Sequence, residues 1–206
     1  LLASGAKCSQ EVAVLSEHKS GAVDTIRKQK LGPPLIFARL WEQTGIKHAI
    51  QQALTRRRFS FDLEGALFMT VVHRLMDPGS DRAAEQWRDD YVFSPRIAEL
   101  ELHQLYRAMA WLGEQLPKDQ QNGRTPFAPR CTKDLIEESM FNERRDLFSN
   151  VAVVLFDTTS LYFEGEGGET IGQHGKSKDH RPDLKQMVVG LVIDGEGRPL
   201  CCELWP

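Results

Sequence analysis

The sequence predicts an α+β protein in which a helical region precedes a small antiparallel sheet. From Leu35 to Phe141 apolar residues recur at three- and four-residue spacing, the period of helices that bury one face. After Asn150 they gather into short runs rich in Val, Ile and Leu, such as Val151–Phe156 and Gln186–Ile193, which is the pattern of strands. Asp194-Gly-Glu-Gly between two of these runs is a hairpin signal.

Taken in order, residues 1–30 are polar and weakly periodic, and read as a short helical piece over Gln10–Glu17 joined to a linker. The first residues, without an initiating Met or a long apolar stretch, read as a fragment boundary rather than a signal peptide. Pro33-Pro34 suits a helix start, and Leu35, Ile36, Leu40 and Trp41 follow near helical spacing until Gly45 interrupts. Ile46, Ala49, Ile50 and Leu54 form a second stripe, closed by Arg56, Arg57 and Arg58. Asp62 is placed to cap Leu63–Met76, a run apolar nearly all round and therefore expected at the centre of a bundle. Asp77-Pro-Gly is a turn, and Ser80 caps a helix reaching Trp87.

Leu102, Leu105, Tyr106, Met109 and Leu112 mark another amphipathic helix, and Pro117–Pro129 reads as an exposed loop. Thr132–Phe148 is a further helix, with Leu135, Ile136 and Phe141 facing a core. Four strands are then expected: Val151–Phe156, Leu161–Phe163, Gln186–Ile193 and Pro199–Trp205. The organisation is a piece over residues 1–30, a helical region over 31–150, and a strand region over 151–206. Trp41, Trp87, Trp111, Phe61 and Phe68 are expected in the core, and His73 and His103 are expected to be structural.

Composition bounds the function. Of 206 residues, 41% are hydrophobic and 27% charged, which describes an ordinary globular chain and not a disordered one. Apolar runs such as Ala66–Met69 are too short to cross a bilayer, so no membrane partner is expected. A net charge of −3 argues against a uniformly basic coat for nucleic acid, while leaving room for a local basic patch. Cys8, Cys131, Cys201 and Cys202 lack ligand spacing, and neighbours 201 and 202 on a strand point to opposite faces; reduced, small hydrophobes is the simpler account. A zinc site joining Cys201 or Cys202 to His174 or His180 is the alternative.

Two runs carry possible chemistry. Val151–Phe156 leads into Asp157-Thr-Thr, next to a turn with Gly165, Gly167 and Gly168. A buried strand ending on an acid is a rigid way to present a metal-binding carboxylate. Lys176, Lys178, Arg181 and Lys185, with His174 and His180 interleaved, then cluster just before the next strand. Such cations suit phosphate contacts, which position nucleic acid without reading it. The plain reading of Asp157 is a strand-end turn cap, and that of the cations a solvated loop. Asp179 and Asp183 read as local charge balance or turn residues, Asp194 as a turn residue, and Glu164 and Glu166 as solvated loop acids.

Asp157-Thr-Thr-Ser-Leu-Tyr-Phe-Glu-Gly, Ser177-Lys-Asp-His-Arg-Pro-Asp-Leu-Lys-Gln186 and Val188-Val-Gly-Leu-Val-Ile-Asp-Gly-Glu-Gly-Arg-Pro-Leu200 together resemble insertion-sequence transposases of the DDE type. The similar branch is the insertion-sequence-four superfamily with a long helical N-terminal region. Leu31-Gly-Pro-Pro-Leu-Ile-Phe-Ala-Arg-Leu-Trp41 and Leu75–Trp87 extend the resemblance over most of the chain. The resemblance implies the first three antiparallel strands of an incomplete ribonuclease-H-like catalytic domain. It also implies a helical region that binds DNA ends and protein partners. Asp157 would be the first acid of the triad and a ligand in a two-metal site for Mg2+ or Mn2+, with the other two acids outside this chain. DNA contacts would fall on Lys176, Lys178, His180, Arg181 and Lys185. The partners would be transposon-end and target DNA and further copies of the chain, in the bacterial cytoplasm at the nucleoid.

On this resemblance the complete protein cleaves DNA and joins strands, and this chain alone is inactive. A non-catalytic DNA-binding or inhibitory module is the second reading. A haloacid-dehalogenase-like phosphatase is the third, against which Thr159 stands where that family has its second acid.

Overall fold

The computed structural model describes residues 11–13, 28–55, 57–125, 128–148, 154–165, 171–175 and 180–206. It combines helices with a three-stranded antiparallel sheet in two compact units, Leu1–Leu112 and Gly113–Pro206. The helical pattern therefore crosses a unit boundary: the helix at Thr132–Phe148 groups with the strands that follow it.

The first unit opens with β1 (Glu11–Ala13) and β2 (Lys28–Lys30), paired antiparallel with Glu11 opposite Lys30. Glu11–Ala13 was expected within a helix and is a strand instead; the remainder of Gln10–Glu17 lies outside the described residues. The strand wins because partners exist for its backbone, since β2 is itself anchored. The Lys30 N–H donates to Asp90 O (2.8 Å), and Lys30 O accepts from the Val92 N–H (2.9 Å). An isolated helical turn would have left its end groups to water.

Helices α1 (Gly32–Gln43) and α2 (Ile46–Leu54) are separated at Gly45, which takes φ +80°, a left-handed conformation that suits glycine. Helix α3 (Leu63–Met76) is central, as its uniform apolarity predicts, with Ala66, Met69 and Val72 fully buried. The Asp62 carboxylate accepts from the Gly65 N–H at 2.9 Å, capping α3 at its start. Ser80 does the same for α4 (Asp81–Arg88) through the Ala83 N–H. Short α5 (Pro95–Ala98) and α6 (Leu102–Leu112) complete the bundle. An aromatic chain of Trp41, Phe68, Phe93, Trp87 and Tyr91 runs through the core with ring centroids 4.2–6.3 Å apart. His73, 1% exposed, packs edge-on against Trp87.

In the second unit, the loop after α6 holds a short 3-10 turn at Lys118–Gln120 and is stitched by two side chains. Gln121 bonds the backbone of Leu116 and Arg130, and the Arg130 guanidinium donates to Gln120 O and Asn122 O. Helix α7 (Thr132–Phe148) buries Ile136, with Leu135 and Phe141 half-buried.

The sheet is β3 (Val154–Tyr162), β4 (Gln186–Asp194) and β5 (Pro199–Trp205), in chain order and antiparallel throughout. The turn between β4 and β5 forms as expected. Asp194 Oδ1 accepts from the Glu196 and Arg198 N–H groups, and Gly197 takes φ +79°. Gly190 is required by packing, because the Trp205 ring lies across it and an added Cβ would sit 2.3 Å from that ring. Phe156 closes on the same ring with centroids 5.9 Å apart.

Two expectations about the first strand need correction. The runs at Val151–Phe156 and Leu161–Phe163 are parts of one strand, at least from Val154, and Asp157 lies within it and not at its end. Residues 151–153 lie outside the described set. Thr158-Thr159-Ser160 continue the ladder because β-branched and small polar residues fit a pleated surface, and each has a β4 partner. The strand was also expected to be buried, yet Phe156 is 58% exposed and Leu155 53%. β3 is an edge of the sheet, paired only with β4 among the described residues.

Candidate functional site

Asp157 stands opposite Leu191 in the β3–β4 ladder, and Leu191 stands opposite Cys202 in the next. Residues paired in this way share a face. The Asp157 face therefore carries Leu155, Thr159 and Leu161 from β3, Met187, Val189, Leu191 and Ile193 from β4, and Cys202 and Leu204 from β5. Asp157 is the one acid on that face among the paired strand residues. Asp194 and Glu203 pair with Val154 and Gly190 and fall on the opposite face. The Asp157 side chain is exposed, and its Oδ1 accepts the Thr158 N–H at 2.8 Å, which orients the carboxylate along the strand.

A hard divalent ion takes several oxygen ligands, and a pair of ions needs carboxylates that bridge about 3.5–4 Å. Asp157 alone does not fit that requirement. Among the described residues, no three His, Cys, Asp or Glu side chains form a group able to hold a metal ion; the zinc alternative at Cys201 or Cys202 finds no such group either. Burial instead pushes the thiols of Cys131, Cys201 and Cys202 above their ordinary value, which disfavours the thiolate that would bind a metal.

The basic run is partly visible. Lys176, Lys178, Asp179 and Glu166 lie outside the described residues. His180 is exposed with φ +56°, and Lys185 is half-buried with its carbonyl accepting from the Phe163 N–H. Arg181 is paired with Asp183 through two bonds of 3.0 and 2.9 Å, and its guanidinium lies over the Tyr162 ring. The hydrogen bond between them lowers Asp183 and raises Arg181, so both stay charged. Tyr162 falls on the face opposite Asp157 and five residues along the strand, about 16 Å away at the usual rise. Arg181, which lies before β4 and rests on Tyr162, is thus not brought together with Asp157. Asp183 is the charge-balance partner its position suggested.

In the first unit a cavity of about 670 Å³ is lined by Arg57 and Arg96, but also by Asp62, Glu64 and Glu99, so its wall is of mixed charge. Arg56 lies outside the described residues, and Arg57 sits over the Phe59 ring. His103 is exposed beside Glu101.

One ionic cluster was not foreseen. From α7, Lys133 reaches Asp134 (2.7 Å), Glu137 (2.8 Å) and the carbonyl of Cys202 (2.7 Å), while Glu137 accepts the Cys202 N–H at 3.2 Å. The two side chains, four apart on one helix face, serve the outward N–H and C=O of β5 as a neighbouring strand would, which covers that edge. Burial would lower Lys133, but its two carboxylates outweigh it and hold the ammonium above its ordinary value. Burial pushes Glu137 up despite Lys133. For Asp134 burial acts upward, but Lys133 and the Cys131 N–H outweigh it and the net shift is down. The i,i+4 spacing is visible in the sequence, but it is equally that of an ordinary surface pair. Beside this cluster a cavity of about 430 Å³ opens between α7 and the sheet, walled by Phe141, Val154, Val192 and Leu200. Asp157 lines neither of these cavities.

No helix among the described residues is long and apolar enough to cross a membrane. No family model matches the chain, and no curated protein or solved structure matches it.

Proposed function

We propose that the chain is part of a DDE-type insertion-sequence transposase, with a helical region that engages DNA ends and a sheet that opens a ribonuclease-H-like catalytic domain. The observation that carries this reading is the placement of Asp157: an exposed carboxylate on the first strand of an antiparallel meander, followed by the Ser177–Gln186 motif. Asp157 is assigned as one ligand of a metal site whose other carboxylates come from elsewhere. In the complete enzyme the bound ions would supply charge stabilisation for in-line displacement at a phosphodiester. Lys176, Lys178, His180, Arg181 and Lys185 contact the DNA backbone, and Arg181 does so as part of its pair with Asp183. The active assembly is a multimer of this chain on DNA.

Because Asp157 has no acid beside it on its face among the described strand residues, the second reading is a DNA-binding module without catalysis. Both readings expect the 206-residue chain to be silent as a nuclease with Mg2+ or Mn2+. They separate in a chain continued in frame beyond Pro206. The transposase reading expects end cleavage there, abolished by Asp157→Asn with DNA binding kept. Cleavage that survives the substitution removes Asp157 from the site, and a continued chain that binds but never cleaves favours the module.

A further inference from the structure

The sheet has two edges, and each is met by a carboxylate. The Phe163 N–H donates to Lys185 O just past the end of β3, and the bonds of an antiparallel ladder recur at every second residue. The odd-numbered residues of β3 therefore turn their N–H and C=O groups toward β4, while Phe156, Thr158 and Ser160 turn theirs outward. At the other edge the outward N–H and C=O of Cys202 are taken by Glu137 and Lys133. At β3 the outward Thr158 N–H is taken by Asp157 Oδ1 at 2.8 Å. The carboxylate at 157 thus closes a donor on its edge as Glu137 closes one on the opposite edge.

A long edge strand with exposed apolar ends, Leu155 and Phe156 before Asp157 and Leu161 and Tyr162 after it, is a template for a further strand. β3 of a second copy suits it, because the strand matches itself when run antiparallel about Thr158. Val154 then meets Tyr162, Leu155 meets Leu161, and Thr158 meets its own image. Asp157 opposes this match. In that register the two carboxylates are diagonal neighbours about 7–8 Å apart, and in the register centred on Asp157 they stand directly opposite. β3 holds no Lys or Arg to meet them. A charge on an edge strand is a common protection against strand addition.

We propose that Asp157 guards the outer edge of β3, holding the Thr158 N–H and setting charge against charge, so that this chain does not add a second copy of itself strand to strand. This duty needs neither DNA nor a divalent ion, and the test contains neither, so its failure leaves the transposase reading untouched. The measurement is sedimentation velocity on the 206-residue chain. Asp157→Val, which suits a strand and carries neither acceptor nor charge, should dimerise at least about tenfold more tightly than the unaltered chain, since each dimer loses two carboxylates. Adding Ser160→Pro should return the unaltered behaviour, because the proline removes an N–H that points away from β4 and leaves the native ladder in place. Asp157→Lys, which keeps a charge, should remain as monomeric as the unaltered chain. In the unaltered chain the Thr158 amide should exchange its hydrogen several-fold more slowly than the Phe156 and Ser160 amides, a comparison that holds even if a variant fails to fold. Association of Asp157→Val no tighter than that of the unaltered chain, association that Ser160→Pro does not reverse, Asp157→Lys dimerising as tightly as Asp157→Val, or a Thr158 amide as fast as those two overturns the proposal.

Discussion

Replacing Lys133 with Met keeps the stem of the side chain and removes its charge. Three contacts go with it: two carboxylates within 2.8 Å and the Cys202 carbonyl. The side chains of Lys133, Asp134 and Glu137 are 33%, 19% and 23% exposed, between a surface pair and a buried one. Surface pairs contribute up to about 1 kcal/mol, whereas breaking a buried pair costs about 3–5 kcal/mol. About 2 kcal/mol is the reasonable intermediate, most of it from leaving two carboxylates partly desolvated. The loss falls on the clasp between α7 and the β5 edge, so the Cys202 amide is the place to measure it. Its hydrogen exchange should quicken by about thirtyfold in Lys133→Met, the factor that corresponds to 2 kcal/mol. Converting both partners, Lys133→Met with Glu137→Leu, should recover part of the loss, because no charge is then left unpaired. A change below about threefold at Cys202 would show that the cluster is solvated and that the edge is held by something else.

Gly190→Ala places a Cβ where the Trp205 ring lies, and should destabilise the sheet by about 1–3 kcal/mol, with changed near-ultraviolet dichroism. Adding Trp205→Ala should relieve most of that cost; no relief would mean the ring is not what excludes a side chain. His73 should make the bundle sensitive to acid. Burial lowers its folded pKa below the ordinary value of 6.5, so the unfolded chain binds the proton more readily. Stability is full above that value and is lost as pH falls through it, and His73→Phe should flatten the dependence in denaturation measured from pH 7 to 5. If the protein binds DNA as proposed, Lys178→Ala with Arg181→Ala should lower the salt slope of binding by about one unit per lost phosphate contact, and an unchanged slope would return the run to a solvated loop.

The division into helices and strands was legible in the chain because it rests on local chemistry. Periodicity placed α3 at the bundle centre. Side chains close to their own backbone, Asp62, Ser80 and Asp194, marked the ends of elements, and each caps or turns where expected. Gly45 broke two helices for the same reason, a backbone preference carried by one residue. What lay beyond reach depended on partners distant in sequence. Glu11–Ala13 is a strand because Lys28–Lys30 is anchored beside Tyr91, a fact no window of ten residues contains.

Asp157 itself shows both halves. Its residue type and its apolar approach were visible from the start, as was the cationic run after it. Its position within an exposed edge strand, the one acid on its face among the described strand residues and about 16 Å from the tyrosine that carries Arg181, follows from ladder register. Register is a long-range property: shifting one strand by a single residue exchanges the faces, and local sequence carries little information about that shift. The Lys133–Glu137 clasp belongs to the same category. Its residues are ordinary in the sequence, and only the approach of a strand edge gives those charges their distinctive surroundings.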